Sequence, residues 1–290
     1  MNAEIKFANA YEAARAWSDA GQTPEEIARV LYSPEGFHLP ADDVARALRD
    51  GLHLSARRVA RVLYSEDGLD LPAGRVARVL YLPAGLDLPA DDVARALRDG
   101  LDLWAGRVAR VLYSEDGLDL PAEQVARALH APEGLDLKIE QIVGVLSSED
   151  GLALDGTRIA RVLHAINLLD LTIAQLLRDE LNLAPEMIAQ ILRGELDCPV
   201  SEIVTILYLG LNLDLGRVAQ ALYVHWGLDL TPARIARIFR DDLYLDPQVI
   251  AQTLWDHTDS TIDGIMRVFR EDLGYSVEEA AEYFKPLVHL

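Results

Sequence analysis

The side chains in this chain best suited to recognition chemistry are arginines and aromatic rings that return at fixed spacing. Arg46, Arg61, Arg78, Arg95, Arg110, Arg127, Arg161 and Arg237 hold one place in a repeated segment, with Gln190, Gln220 and Gln252 standing in later. A row of guanidinium groups binds carboxylates in a planar, two-pronged way and would track an acidic peptide along a groove. A plainer reading pairs Arg46 with Asp42 or Asp43, and Arg95 with Asp91 or Asp92, on one helix face, each pair contributing about 0.2–0.5 kcal/mol. Three residues further along the unit stand Tyr64, Tyr81, Tyr113, His130, His164, Tyr208, Tyr223 and Trp255, either as recognition groups or as packing rings whose polar tips reach water or a carbonyl. Trp104 replaces the Ser55 of a duplicated copy, and Trp226 adjoins His225. The candidate binding residues are therefore Arg61, Arg78, Arg110, Tyr64, Tyr81, Tyr113, Trp104 and Trp226. In the packing alternative, Trp104 fills the space that Gly106 leaves where the copy has Arg57.

Catalytic chemistry finds little support. The sequence has no G-x-S-x-G elbow, Walker-type phosphate loop or HExxH helix, and no two of its seven histidines stand at metal-ligand spacing. The single cysteine, Cys198, lies before Pro199 and reads as a substituted connector residue. Asp241-Asp242-Leu243-Tyr244-Leu245-Asp246 resembles the aspartate-rich magnesium motif of terpene synthases, but it falls in the ordinary register of the repeat. A further series, Asp70, Asp87, Asp102, Asp119, Asp136, Asp170, Asp197 and Asp229, puts carboxylates in successive connectors, either to imitate nucleic-acid phosphates or to cap helices and keep the array soluble. No catalytic residue, metal or cofactor is expected.

Composition narrows the partners. Half of the 290 residues are hydrophobic and 26% are charged, which suits a folded chain. A formal net charge of −20 repels nucleic acid and anionic membranes on average, and favours basic or neutral partners, most simply a protein or peptide. One cysteine makes no internal disulfide, the first residues lack a basic segment followed by an apolar one, and no run approaches the ~18 apolar residues of a membrane span. A cytoplasmic protein is expected.

The elements that must carry these side chains are repeats. Residues 36–67 and 85–116 agree at 27 of 32 positions, an offset of 49. Within that period lies a shorter one of 15 or 17 residues, opening with Gly-Leu-x-Leu at Gly36 (with Phe37 for the first leucine), Gly51, Gly68, Gly85, Gly100, Gly117, Gly134, Gly151, Gly210 and Gly227. Each unit reads as one short helix. Val93, Ala94, Ala96 and Leu97 give the i, i+3, i+4 stripe of a buried face, and Gly100 stands where a left-handed C-terminal residue is expected. A helix of about ten residues is unstable alone, so the units must stack. The expected fold is all-α, a superhelical solenoid of single-helix units grouped as three-helix layers of about 49 residues. It divides into an N-terminal cap at 1–20, an array at 21–258 that is regular to about 167 and degenerate over 168–209, and a C-terminal cap at 259–290. Ser276 and Glu279 are spaced as a capping box in that last segment.

This organisation resembles the α-solenoid class, of which HEAT and armadillo repeats are members. The resemblance implies a curved binding surface and hence a non-enzymatic scaffold for a protein or peptide. Two alternatives stand beside it: an acidic charge mimic that inhibits a nucleic-acid-binding protein, and a small-molecule carrier or enzyme with a pocket between the degenerate units.

Overall fold

The computed structural model describes residues 3–224 and 227–288, which hold eighteen α-helices and no strand. The first compact unit, Met1–Asp155, contains α1 (Ala3–Asp19), α2 (Pro24–Tyr32), α3 (Ala41–Arg46), α4 (Ala56–Tyr64), α5 (Ala73–Tyr81), α6 (Ala90–Leu101), α7 (Ala105–Tyr113), α8 (Ala122–His130) and α9 (Ile139–Ser147). The second, Gly156–Leu290, contains α10 (Gly156–Ala165), α11 (Asp170–Asp179), α12 (Pro185–Glu195), α13 (Val200–Thr205), α14 (Leu215–Tyr223), α15 (Pro232–Asp241), α16 (Pro247–His257), α17 (Ile262–Arg267) and α18 (Val277–Val288). Single π-turns at Ala47–Gly51, Ile206–Gly210 and Val268–Asp272 prolong α3, α13 and α17. None of the described helices is long and apolar enough to cross a membrane.

The anticipated stripe is the core. Val93, Ala94, Ala96 and Leu97 are buried in α6, as are Val59, Ala60, Val62 and Leu63 in α4. Within each unit a helix packs against the next helix and the next but one: α4 on α6, α6 on α8 and α5 on α7 in the first, α12 on α14 and α14 on α16 in the second. Packing thus has a period of two helices. The terminal helices obey the same rule, with α1 meeting the π-turn of α3, and α18 meeting α16. The Ser276 capping box forms, Ser276 N–H donating to Glu279 Oε2 at 2.8 Å and Glu279 N–H to Ser276 Oγ at 3.1 Å.

The connectors overturn one expectation. In Gly-Leu-x-Leu the left-handed residue is x and not the glycine: φ is 52° at Asp70, 54° at Asp119, 52° at Asn182 and 56° at His53. Asp, Asn and His tolerate that region better than most side chains. The aspartate series therefore has a backbone cause. Asp170 does not belong to it, because Asn167 takes the left-handed place in that connector and Asp170 opens α11. The glycine serves sterics. A Cβ on Gly68 would lie 1.7 Å from the Val62 carbonyl oxygen, because the connector folds back to give Leu69 N–H to Val62 O and Leu71 N–H to Leu63 O. Asp119→Val is expected to lower stability by roughly 1–2 kcal/mol while Asp119→Gly stays near wild type; equal urea midpoints would refute the conformational explanation.

Candidate functional site

The arginine row is engaged with the backbone. Arg61 Nε donates to Gly100 O at 3.2 Å, Arg78 Nε to Gly117 O at 2.6 Å, and Arg110 Nη2 to Glu149 O at 2.6 Å. Arg29 and Arg95 repeat the contact on Glu66 and Pro132. Each arginine reaches the last turn of the next-but-one helix or the connector that follows it, where carbonyls at a helix C-terminus need donors. The row is thus a set of clamps along the stack, neither the free groove expected for a polyanion nor, in the main, the intrahelical pairs. Arg46 pairs with Asp43, and Arg161 and Arg237 reach carboxylates instead of carbonyls, Glu195 at 3.0 Å and Asp272 at 2.7 Å.

The aromatic candidates fare differently. Tyr64 is exposed, Tyr81 and Tyr113 are half-buried, and His130 Nδ1 lies 3.0 Å from Leu137 O, as the packing reading requires. Trp104 is 54% exposed yet lies over its own helix start: a Cβ on Gly106 would sit 1.9 Å from the indole ring. The ring thus fills the space beside Gly106, and more than half of its surface is open. Trp226 lies outside the described residues. The Asp241–Asp246 run is a connector, with Asp241 bound to Arg240 at 2.6 Å, Tyr244 in the left-handed region and Asp246 capping α16 through Gln248 N–H. The Arg240 guanidinium holds the Asp241 carboxyl below the usual carboxylate range. These carboxylates do not converge on a cation.

One cleft does gather unengaged cations. Between α5 and α7 a space of about 470 Å³ is lined by Arg75, Arg78, Arg107, Arg110 and Asp116, among others. Arg78 and Arg110 are clamps. Arg75 and Arg107 are exposed, and neither has an ion-pair or hydrogen-bond partner among the described residues. They occupy the third position of α5 and α7, which carry the same nine residues, AGRVARVLY. On α4 the same position is balanced, Arg58 meeting Glu25 of α2 at 2.9 Å. Gly74 shapes the cleft, since a Cβ there would lie 2.3 Å from Asp116 O and push the α7 connector away.

Sequence reasoning named Arg78 and Arg110 but missed Arg75 and Arg107. The available signal was the doubled AGRVARVLY, which places two arginines three residues apart on each of two helices that are next-but-one neighbours. Compared with protein families, curated proteins and solved structures, the chain has no match.

Proposed function

We propose that the chain is a non-enzymatic scaffold that binds a protein or peptide, and that the α5–α7 cleft anchors a carboxylate of a segment otherwise neutral or basic. The observation that supports this is the pairing of unengaged Arg75 and Arg107 in one cleft of a chain whose net charge is −20. Two guanidinium groups without acidic partners offer the forked geometry that a carboxylate accepts. The negative charge of the rest of the surface steers basic segments in and turns polyanions away. Trp104, three residues before Arg107 and half-exposed, adds an apolar contact of the type common at binding hot spots. The alternating rows of helices in each unit are read here as stretches of α-solenoid, the architecture that lends itself to such surfaces.

The test is selection of peptides from a random display library on the immobilised protein, followed by anisotropy titration. Selected peptides are expected to carry an Asp, a Glu or a free C-terminus. Arg75→Ala/Arg107→Ala should weaken them at least about tenfold, the order expected for losing charge-assisted hydrogen bonds. Unchanged affinity in the double variant would overturn the assignment.

A further inference from the structure

In the second unit, three side chains able to ligate a metal meet at the start of α11 and the start of α13. Asp170 is the first residue of α11, Cys198 lies in the connector before α13, and Glu202 is in the first turn of α13. Their ligand atoms all lie within 4.8 Å of one another. We propose that Asp170, Cys198 and Glu202 bind a divalent cation of the zinc class, with His164 as a positioning residue.

The repeat supplies its own control. The place of Cys198 is leucine in other units, as at Leu71, Leu120 and Leu183, and the place of Asp170 is an uncharged residue, as at Ala73, Ile139, Gly156 and Pro185. One helix earlier the same two places are Gly156 and Leu183, where a Cβ on the glycine would lie 2.7 Å from Leu183 Cδ1. An apolar seam has thus been replaced, on both sides at once, by a carboxylate and a thiol. The carboxylate puts a charged group at the edge of a packed junction, which is unfavourable without a partner. Together with Glu202 they make a set of one sulfur and two carboxylates.

The chemistry of the set selects the ion. Calcium and magnesium prefer oxygen ligands throughout, whereas a thiolate favours zinc and its softer neighbours. Cys198 is 2% exposed and forms the closed side of the site, while Glu202 is exposed and leaves an open side where water completes the shell. His164 Nδ1 stands 3.4 Å from Asp170 Oδ1, the arrangement by which an outer group fixes the direction of a ligand. A thiol binds the cation as thiolate, so binding exchanges one proton for the ion: the S–H bond breaks, a sulfur–metal bond forms, and the proton leaves to solvent. This departs from the metal-free expectation raised by the sequence, in which Cys198 was a connector substitution.

The full chain, stripped with chelator, is titrated with Co²⁺ as an optical probe and then with competing Zn²⁺. One equivalent of Co²⁺ should produce a thiolate-to-cobalt charge-transfer band that Zn²⁺ abolishes. Asp170→Asn and Glu202→Gln should weaken binding by about tenfold or more, and His164→Ala should weaken it by about tenfold while keeping the band. Cys198→Leu restores the residue that the other units use, so it should fold normally by circular dichroism and show no band. Absence of the band in the parent protein, or its persistence in Cys198→Leu, would overturn the site.

Discussion

Gly117→Ala is expected to destabilise the first unit by about 3 kcal/mol or more, whereas Gly144→Ala should be neutral or raise stability by up to about 1 kcal/mol. The two substitutions add the same methyl group. At Gly117 the new Cβ would stand 1.7 Å from the Val111 carbonyl oxygen, a backbone atom held by the Leu118 N–H. No rotamer change relieves that collision. The connector must lift, and the bonds from Leu118 N–H to Val111 O and from Leu120 N–H to Leu112 O lengthen with it. At Gly144, inside α9, a Cβ meets nothing within 4 Å, so the change only reduces the freedom of the unfolded chain and improves helix propensity. Urea unfolding followed by circular dichroism reads both; a Gly117→Ala midpoint equal to that of Gly144→Ala would remove the steric account of the repeated glycine.

That contrast also marks how far the sequence could be read. The apolar stripe and the unit length were legible because burial follows a period of 3.6, and Val93, Ala94, Ala96 and Leu97 occupy the places predicted for them. The glycine was misassigned because two physical demands, a positive φ and a lack of space for Cβ, select the same residue. The discriminating signal lay two positions later, in Asp70, Asp119, His53 and Asn182, whose common property is tolerance of the left-handed region. The arginine clamps were hidden for another reason. Their acceptors are carbonyls, which every residue carries, so no residue type at the far end reports the contact. Only the separation of 37 to 41 residues does, as between Arg61 and Gly100 or Arg110 and Gly151, and it acquires meaning once helices are known to stack on their next-but-one neighbours. The same rule brings Asp170 to Cys198. Both departures from the repeat were visible, but the expectation of three-helix layers gave no reason to place them together.

Replacing Arg61, Arg78, Arg95 and Arg110 by methionine is expected to lower the stability of the first unit by about 4 kcal/mol, roughly 1 kcal/mol for each clamp. Methionine keeps most of the unbranched stem and its packing but removes every donor. What is lost is the pair of N–H groups that each arginine holds against a connector, such as Arg78 on Gly117 O and Glu115 O. The connectors are partly exposed, so water replaces some of each contact and the value per arginine stays near the lower end of the range for charge-assisted bonds. The sum still matters, because a domain of this size holds only about 5–15 kcal/mol in reserve. Arg75→Ala/Arg107→Ala supplies the contrast. Those guanidinium groups bind nothing within the described chain, so their loss should change stability by no more than about 0.5 kcal/mol while abolishing capture of carboxylate peptides. Two sets of arginines a single helical turn apart on α5 and α7 would thus separate in one pair of experiments, the inner set reporting in the unfolding midpoint and the outer set in affinity. A quadruple variant that unfolds at the parental urea concentration would mean that the clamps are incidental, and that apolar burial along the helix rows holds the stack unaided.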